Sequence, residues 1–444
     1  MTEEVVLLFW YHTYQRLSMT SNFAHTDIFT VALGLESPWV VTNVEMLPSE
    51  KNPEKMEVHI HVDYDGQGSY CCPLCGLESP IYDSREKVWR HLNFFQYRCY
   101  IHARVPRTNC EKHGVKLVEV PWARSSSGFT LLMEAVLLMM LKQMPVSQVA
   151  YQVGEHDTRL WRLIHFYVNE ALSKQDFSEV DAIGVDEYSP KGHNYLSVFL
   201  AHPQKDGKKK ARVLFTVEGK GKQPVQEFVE VFEAKAGKVD KVADITSDMC
   251  HGYRNAMLEG FPKARLTIDR FHVVKMMGDA VDTIRRREMR SKDRSKIRSL
   301  EGSRYLWLKN KENLTAEQQK QLELLLSTEH LDTTIAYNQK LKLQGVYEDC
   351  IDYESAVEAF ESLCLELSNS SISELRRIGK SFTRNALEIL NYFESKKTNA
   401  LLEGFNSMIS LIKHRARGFK NMKNFMAMIY FVCGELELPK ATIM

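Results

Sequence analysis

The order of predicted strands and helices between about residues 176 and 290 constrains the fold most. Three strand-like segments come first, DAIGVD, YLSVFLA and ARVLFTV, and the basic segment HPQKDGKKK connects the last two as a hairpin. Helical and strand-like segments then alternate, as PVQEFVEVFEAK, VADITSD, HGYRNAMLEGF, ARLTI and DRFHVVKMMGDAVDTIRRRE. The order β-β-β-α-β-α-β-α predicts an α/β domain. In it, a mixed sheet carries helices on its faces, and the three early strands form an antiparallel meander.

Two carboxylates end predicted strands of this sheet, whose element order is that of an RNase H-like fold. Asp186 closes AIGVD and Asp248 closes VADITSD. Strand alternation places Asp186 on the face of Gly184 and turns Glu187 the other way. Carboxylates at neighbouring strand ends repel each other unless a cation lies between them, and oxygen ligands of this kind suit Mg²⁺. The alternative, that both acids are helix caps or solvated turn residues, stays open at this point.

A third acid, Glu403, lies in the predicted helix NALLEGFNS. Because Leu401, Leu402 and Phe405 surround it in sequence, we expect its side chain to face protein. Acids from two strands and a distant helix are what phosphoryl transfer with two metal ions requires. We therefore predict Asp186, Asp248 and Glu403 as catalytic residues that hold two Mg²⁺ ions, with Mn²⁺ as a possible substitute.

Two ligand pairs near the N-terminus predict a zinc site. Cys72 and Cys75 form a Cys-x-x-Cys pair, and Cys110 and His113 form a Cys-x-x-His pair. Each short knuckle can present both side chains to one ion, and four such ligands complete a tetrahedral structural Zn²⁺ site. Free or core thiols are the alternative interpretation, and Cys71 and Cys99 are rival ligands.

The segments around this zinc site show two different periods. From Asp27 to Tyr70 short strands are predicted, and EVHIHV alternates strictly between apolar and polar residues. FTLLMEAVLLMMLKQM is predicted to be a helix that ends before Pro145.

Two short helices joined at Gly154 are predicted in PVSQVAYQVGEHDTRLWRLIHFYV. With Ala150 in the first and Leu160 and Leu163 on the inner face of the second, they fit a helix-turn-helix, although an ordinary helical hairpin remains the alternative.

The distribution of charge is more informative than its sum. The net charge is only +1, but Arg285 to Arg298 holds eight basic residues against two acids, and Lys205 to Arg212 holds five against one. Such clusters bind polyanions or form solvated surfaces. The apolar runs near the N-terminus are too short to span a bilayer, and the nine unevenly spaced cysteines do not suggest a disulfide framework, so we expect a cytoplasmic protein.

An ordered series of motifs resembles the ISL-three family of bacterial insertion-sequence transposases, from about Asp27 to Gly434. The motifs are CPLCG, CEKHGV, VPWARSSSGFT, LWR, VDEYSPKGHNYL, SDMCHGY, IDRFHVVK, TNALLEGFN and IKHRARGF. The resemblance implies a DDE transposase, whose acidic triad falls on Asp186, Asp248 and Glu403. The aspartate of the DRFH motif falls on Asp269, which we expect to cap the long helix that follows rather than to bind metal.

The resemblance and the segment composition together imply six regions. They are an N-terminal extension (1–26), a β-rich zinc-binding module (27–122), a helix-turn-helix region (123–175), the first part of an RNase H-like catalytic domain (176–289), an α-helical insertion (290–394) and the C-terminal catalytic helices (395–444).

The predicted activity is cleavage of the ends of a mobile element, followed by joining of the freed 3′-hydroxyl to target DNA. DNA is the expected partner, both as terminal inverted repeats and as target, with a homodimer or larger assembly joining two ends. Arg159 and Arg162 are predicted to contact the repeats, and Lys413, Arg415 and Arg417 the phosphates beside the scissile bond. A non-catalytic DNA-binding repressor is the main alternative; a nuclease for RNA hybrids is disfavoured by the two DNA-binding modules.

Overall fold

The computed structural model describes residues 25–50, 52–64, 70–191, 194–204, 210–248, 251–291, 294–327, 331–398 and 400–439. They form two compact units, one reaching up to Leu163 and the other spanning Ile164–Leu438. This division falls inside the segment 123–175 that the sequence predicts as one helix-turn-helix region. None of the helices in these ranges combines enough length with enough apolar character to cross a membrane.

Strands dominate the first unit. After helix α1 (His25–Ala32) come β1 (Trp39–Ser49), β2 (Asn52–Tyr64), β3 (Tyr70–Cys71), β4 (Glu78–Ser79), β5 (Ile81–Phe94), β6 (Tyr97–Cys110) and β7 (Gly114–Leu117). The main sheet has the order β1-β2-β6-β5, with β7 paired to β6, while β3 and β4 pair only with each other. The alternation predicted in β2 is confirmed, because Val58, Ile60 and Val62 are all buried in the core with Trp39 and Trp89.

Three helices follow this sheet, namely α2 (Leu131–Gln143), α3 (Val146–Val153) and α4 (Asp157–Ser173). The chain turns from α3 to α4 at Gly154, whose φ of +68° is a left-handed conformation that favours glycine. A Cβ atom at this position would also lie 1.8 Å from the Arg98 guanidinium. The predicted inner-face residues Ala150, Leu160 and Leu163 are buried, as a close crossing of two helices requires.

The second unit contains the predicted mixed sheet. Its strands are β8 (Ala182–Lys191), β9 (Asn194–Ala201), β10 (Arg212–Glu218), β11 (Asp244–Ser247) and β12 (Arg265–Ile268). The order is β10-β9-β8-β11-β12; β9 runs antiparallel to both of its neighbours, and β8, β11 and β12 are mutually parallel. The antiparallel meander is therefore confirmed, whereas 205–209 of the predicted basic loop lies outside the described residues.

Helices α5 (Lys222–Ala234) and α6 (His251–Gly260) cover one face of this sheet. Ile183, Val185 and Phe199 point to this face and share a core with Phe228 and Phe232 of α5. The Phe199 and Phe228 rings stack with centroids 4.2 Å apart. Because side chains alternate along a strand, the neighbours Gly184 and Asp186 face the other side.

A large helical region follows β12; it begins at Arg270, earlier than the bounds 290–394 predicted for the helical insertion. Its helices are α7 (Arg270–Met289), α8 (Arg294–Leu300), α9 (Arg304–Leu308), α10 (Ala316–Leu326), α11 (Asp332–Asp349), α12 (Tyr353–Ser368), α13 (Ser373–Arg384), α14 (Ala386–Leu390) and α15 (Tyr392–Ser395). They share a core of their own that includes Trp307, Tyr337, Phe360 and Phe382.

The chain returns to the sheet through α16 (Ala400–Arg415) and α17 (Met422–Cys433). On α17 the Tyr430 hydroxyl accepts a hydrogen bond of 2.7 Å from the Thr216 amide of β10. On α16, Leu402 packs over Gly184 so closely that a Cβ at Gly184 would lie 2.8 Å from it. The last two helices therefore cover the sheet face that carries Asp186.

Candidate functional site

Cys72, Cys75, Cys110 and His113 converge on one point of the first unit. One ligand atom from each lies within 4.8 Å of the others. The Cys75–Cys110 sulfurs are 3.7 Å apart, and His113 Nδ1 lies 3.7 Å from Cys72 Sγ and 3.6 Å from Cys110 Sγ. Ligands at ~2.3 Å (S) and ~2.0 Å (N) from a tetrahedral Zn²⁺ would be separated by about 3.5–3.8 Å. The four predicted residues thus fit a zinc ion.

Both knuckles owe their shape to a glycine, since Gly76 and Gly114 follow the two pairs with φ of +69° and +66°. The rival cysteines do not take part. Cys71 is exposed, and Cys99 is buried in the sheet core, where burial raises its pKa to about 11. At Cys110 burial also acts to raise the pKa, but hydrogen bonds with the backbone amides of Lys112 and His113 and with the side chains of His113 and Cys75 together outweigh it and lower the pKa to about 6. This favours the thiolate, which is the form that binds metal.

Three aspartates lie in or directly after the neighbouring parallel strands of the second unit, Asp186 within β8 and the other two one residue beyond β11 and β12. β11 pairs with β8 so that Thr246 is opposite Gly184, and two residues further in the same register Asp248 is level with Asp186. β12 pairs with β11 in a register that puts Asp269 level with Asp248. We call Asp186, Asp248 and Asp269 the aspartate row. It lies where β11 and β12 end beside the middle of β8, which continues past Asp186 to Lys191, so the prediction that Asp186 closes its strand is wrong.

Asp186 lies in an environment that opposes its ionisation. Burial raises its pKa, and the negative charge of Asp248 raises it further. The Glu187 amide, which donates to Oδ1 at 2.8 Å, the charge of His272 and a hydrogen bond from Asn406 act in the opposite direction but do not balance the rise. A bound cation would relieve both the burial of this charge and the repulsion from Asp248.

Helix α16 runs along β8, and every fourth residue of the helix contacts every second residue of the strand. Leu402 lies over Gly184, the Asn406 amide donates to Asp186 Oδ2 at 2.7 Å, and Ser410 Oγ donates to the Tyr188 hydroxyl at 3.3 Å. Four helical residues advance ~6.0 Å and two strand residues advance ~6.6 Å, so the two elements stay nearly aligned over these contacts. Asn406 is therefore held beside Asp186.

Glu403 precedes Asn406 by three positions and so shares its side of the helix. Its side chain is exposed, which makes the prediction that it faces protein wrong. The buried face of α16 is formed by Leu402, Phe405 and Ile409. Glu403 instead lines a solvent-accessible cavity, together with Asp269.

Asp269 occupies the N-cap position of α7, as predicted, but its carboxylate makes no capping hydrogen bond. The prediction that Asp269 caps this helix is therefore right about the position of the residue in the chain but wrong about the role of its side chain. The Asp269 amide donates to the Ser247 carbonyl at 3.1 Å, so the residue continues the strand pairing, while its 5%-exposed side chain lines the same cavity as Glu403.

The two arginines predicted to contact DNA differ in their surroundings. Arg159 binds the Glu155 carboxylate, donates to the Gly128 carbonyl at 2.9 Å and covers the Phe129 ring at 4.1 Å. Arg162 is exposed and, among the residues that the structure describes, donates a single long bond of 3.4 Å to the Thr158 carbonyl one turn before it. Arg162 is thus the better placed of the two for a partner molecule.

The other predicted basic contacts also separate into two groups. Arg285 and Arg286 pair with Asp282, and Arg287 pairs with Asp332 and Glu374, which fits a structural helix surface. At the end of α16, Lys413 is half-buried and Arg415 and Arg417 are exposed. Lys413 lies seven residues beyond Asn406, roughly 10 Å along the helix from the aspartate row.

Three family models match the chain in the order of these features. A zinc-finger model of transposases IS204, IS1001, IS1096 and IS1165 matches residues 69–113, a helix-turn-helix model of the ISL3 transposase family matches 118–168, and an ISL3 transposase DDE model matches 183–429. The last match spans more than half of the chain. The chain belongs to the ISL3 family of transposases.

Curated relatives of this ISL3 family member are similar along most of their length. The transposase of insertion sequence IS1001 from Bordetella parapertussis is 24% identical over 363 residues, which cover 80% of this chain and 86% of the relative. The transposase of IS1557 from Mycobacterium tuberculosis is 24% identical over 392 residues, covering 80% and 84%.

The family matches agree with the two DNA-related modules of this ISL3 transposase. The zinc-finger match contains all four clustered ligands, which supports a structural zinc. The helix-turn-helix match contains α3, Gly154 and most of α4, so the interpretation as an ordinary helical hairpin is not needed. The helix-turn-helix and transposase matches imply that the protein binds DNA.

Sequence reasoning did not identify Asn406 as a partner of Asp186, because it was visible only as a polar residue on an apolar helix. His272 was considered as an assisting residue, although a lone histidine is more often structural, and its charge does act on Asp186. Their proximity to Asp186 depends on how α16 and the start of α7 meet the sheet, which no local pattern encodes.

Proposed function

We propose that this protein is an active DDE transposase that cuts the ends of its insertion sequence and joins them to target DNA. Its catalytic domain would be RNase H-like, split by the helical insertion. The observation that carries the proposal is the aspartate row, in which Asp186 of β8 lies next to Asp248, one residue beyond β11, and is hydrogen-bonded to Asn406 of α16, the helix that carries Glu403.

The donors at this edge suit magnesium. Carboxylate oxygens are its usual protein ligands, and the site stays open enough for water and substrate oxygens. Asp186, Asp248 and Glu403 would hold two Mg²⁺ or Mn²⁺ ions, which when bound activate the attacking oxygen and stabilise the leaving oxygen. Asn406 keeps the Asp186 carboxylate oriented and ionised, and Leu402 sets the distance between α16 and the sheet.

The chemistry consists of two displacements at phosphorus. In the first, a water oxygen bonds to the phosphorus at the element end, the P–O3′ bond breaks, and the 3′-oxygen leaves as a hydroxyl. In the second, that 3′-hydroxyl attacks a target phosphodiester, and a target 3′-hydroxyl leaves. One phosphodiester replaces another in this second step, so no external energy source is needed.

DNA would be held by surfaces outside the acidic site. The helix-turn-helix, with Arg162 and to a lesser extent Arg159, would recognise the terminal inverted repeats, and the zinc module would support that contact. Lys413, Arg415 and Arg417 would bind phosphates beside the scissile bond without reading sequence. Joining two ends to one target requires a homodimer or larger assembly, working on DNA in the bacterial cytoplasm.

The decisive experiment is a cleavage assay with purified protein, Mg²⁺ and end-labelled duplexes that carry the DNA flanking this gene. Wild-type protein should cut at the element ends. Asp186→Ala and Glu403→Ala should abolish cutting. Both variants should bind DNA within about threefold of wild type, because removing an acid does not weaken the contacts with DNA phosphates. Specific binding without any cutting would favour the repressor; cutting that survives both substitutions would refute the assigned residues.

A further inference from the structure

The hairpin between β5 and β6 ends in an exposed phenylalanine with an unusual backbone conformation. Phe94 pairs with Tyr97, so Phe95 and Gln96 form a two-residue turn. The φ angle of Phe95 is +53°, a left-handed conformation in which glycine, asparagine or aspartate is usual and a bulky side chain is costly. Phe95 lies edge-on to Phe94 at 4.7 Å, and Phe94 contacts Phe29 of α1 at 5.4 Å. Phe95 itself is 80% exposed, so burial does not offset the cost of its conformation.

A β-bulge below this turn is held by a buried arginine. The register between the two strands shifts between His91 and Phe94, and a bulge of this kind redirects the strand that contains it. The side chain of Arg90, only 2% exposed, donates to the His91 and Cys99 carbonyls, one on each strand. It also donates to Asn93 Oδ1 within the bulge. The hairpin therefore presents its tip in a fixed direction.

The same arginine connects the hairpin to the helix-turn-helix. Arg90 Nε lies 3.8 Å from Glu155 Oε1 in the turn between α3 and α4, and Glu155 also binds Arg159 of α4. Asn93 and Gln96, on the two sides of the tip, line a cavity of about 750 Å³ together with the C-terminal end of α3. All of these residues belong to the first unit. The tip thus has a fixed position relative to the start of α4.

The tip has the composition of a minor-groove contact. Its sequence is NFFQ, residues 93–96. Proteins that bind the minor groove insert apolar wedges such as phenylalanine between base pairs, and they use Arg, Lys, Asn and Gln beside the wedge. The charged residues that line the cavity below the tip are two acids and two bases, Glu54, Glu57, Lys55 and Arg98. Their charges balance, so the cavity does not favour phosphate, and the contact depends on the tip.

We propose that this hairpin enters the minor groove of the terminal-repeat DNA and that Phe95 wedges between two base pairs there. The inference rests on the proposed function, because it assumes that the helix-turn-helix binds these repeats. With α4 in the major groove, the hairpin reaches the neighbouring minor groove. The wedge unstacks one base step and kinks the duplex, and stacking of a base on the ring offsets part of that cost. Flexible pyrimidine–purine steps are the expected site, because they unstack most easily.

The test measures unstacking directly with the fluorescent base 2-aminopurine. The probe is placed at each position of the flanking DNA in turn, and the DNA is bound by full-length protein in an Asp248→Asn background that blocks cleavage. Because 2-aminopurine brightens when it is unstacked, the fluorescence should rise several-fold at one step. Phe95→Gly should abolish this rise and weaken binding about tenfold. Its salt dependence should stay unchanged, because no phosphate contact is lost.

Three comparisons separate a wedge from a structural residue. Glycine suits the turn, so Phe95→Gly should keep or raise the Tm, and its weaker binding would not reflect misfolding. Phe95→Leu keeps an apolar wedge and should retain most of the fluorescence rise. Tyr82→Ala removes a 62%-exposed aromatic residue near the other end of β5 and should match the parent in both measurements.

A mismatched base pair provides a further comparison. Placed at the responsive step, it lowers the cost of unstacking and should tighten binding by the parent protein. It should leave the affinity of Phe95→Gly almost unchanged, because that variant does not unstack the step. Equal tightening in both proteins would contradict the wedge.

The remaining outcomes distinguish the wedge from other roles and from the proposed reaction. An equal fluorescence rise in Phe95→Gly, or no rise in either protein, would overturn the wedge. If light scattering without DNA shows that Phe95→Gly forms a smaller oligomer and the parent gives no rise, the ring binds a second copy of the chain instead. A Phe95-dependent rise with wild-type protein that cuts nothing would refute the proposed cleavage and support the wedge. Normal cutting without the rise would do the reverse.

Discussion

Asn406 of α16 donates a 2.7 Å hydrogen bond to the Oδ2 atom of Asp186 on β8, although the two residues are 220 positions apart. The Asn406 side-chain oxygen is itself buried, with no hydrogen-bond partner among the residues described. The amide group is therefore oriented by Asp186 alone, and the helical insertion between the two residues leaves this contact intact.

Replacing Asn406 by alanine should change the pH dependence of DNA cleavage. The hydrogen bond from Asn406 lowers the pKa of Asp186, so its loss raises that pKa and a higher pH is needed to ionise the carboxylate. The acidic limb of the rate profile should move to higher pH. Ser410→Ala, one turn further along α16, is the control and should leave the limb in place; an unshifted limb in Asn406→Ala would show that the bond does not act on Asp186.

Asp186→Asn should stabilise the folded protein and abolish its activity. Burial raises the pKa of Asp186 above 3.8, so the folded state holds the proton more tightly than the unfolded chain. The ionised side chain therefore destabilises the fold increasingly as pH rises through the folded pKa, and the variant should have the higher Tm at pH 7 without divalent cations. The difference should vanish below about pH 3.8, where both forms are neutral.

Cleavage by Asp186→Asn should fall by at least about a hundredfold. Added Mg²⁺ should raise the Tm of the wild type more than that of the variant, because only the wild type has the full set of carboxylates. Equal Mg²⁺ shifts in thermal scans of both proteins would place the cation elsewhere.

Substituting the clustered cysteines should remove zinc, whereas substituting their neighbour should not. Cys72→Ser and His113→Ala each delete one of four ligands and should lose nearly all bound zinc by metal analysis, with a lower Tm for the first unit. Cys71→Ser changes the adjacent, exposed cysteine and should keep one zinc per chain. Zinc loss in Cys71→Ser instead would mean that the ligand set is wrong.

Arg162→Ala should weaken DNA binding, whereas Arg159→Ala should lower the thermal stability of the protein. Arg162 is exposed, so its loss should weaken DNA binding by roughly 1–3 kcal/mol or reduce the salt dependence by about one phosphate contact, with no change in Tm. Arg159 neutralises Glu155, whose side chain is only 8% exposed, so its loss should lower Tm. Anisotropy titrations at several salt concentrations, together with thermal scans, distinguish the two; matching losses in both would contradict the assignment.

Gly184→Ala should disturb the packing of α16 on β8 next to Asp186. The added Cβ would lie 2.8 Å from the Cδ1 atom of the buried Leu402 side chain, which must repack between α16 and β8 at a cost of about 1–3 kcal/mol and so disturbs the Asn406–Asp186 contact one turn further on. Cleavage should fall more than DNA binding does. Gly404→Ala adds the same atom to α16 where nothing lies within 4 Å, and it should keep wild-type activity.

Local patterns predicted a good deal of this molecule. The zinc ligands follow from their spacing, the helix turn follows from Gly154, and the position of Asp186 follows from strand alternation. The surroundings of Asp269 and Arg159 do not follow, because the first depends on the register between β11 and β12 and the second on a carbonyl at Gly128, far back in the chain. The exposure of Glu403 was misjudged because apolar neighbours in sequence do not bury a helical residue: Leu402 and Phe405 are buried, but Leu401 is exposed like Glu403 itself.

The register that aligns β8, β11 and β12 also determines which changes in length the gene can tolerate. One residue gained or lost within any of these strands would turn its aspartate to the opposite face of the sheet. The helical insertion packs largely into a core of its own, so residues can be added or removed in its connecting loops without changing the register of the strands that carry the aspartates. Over evolutionary time, relatives are expected to differ in length between Asp269 and Glu403 far more than between Asp186 and Asp269.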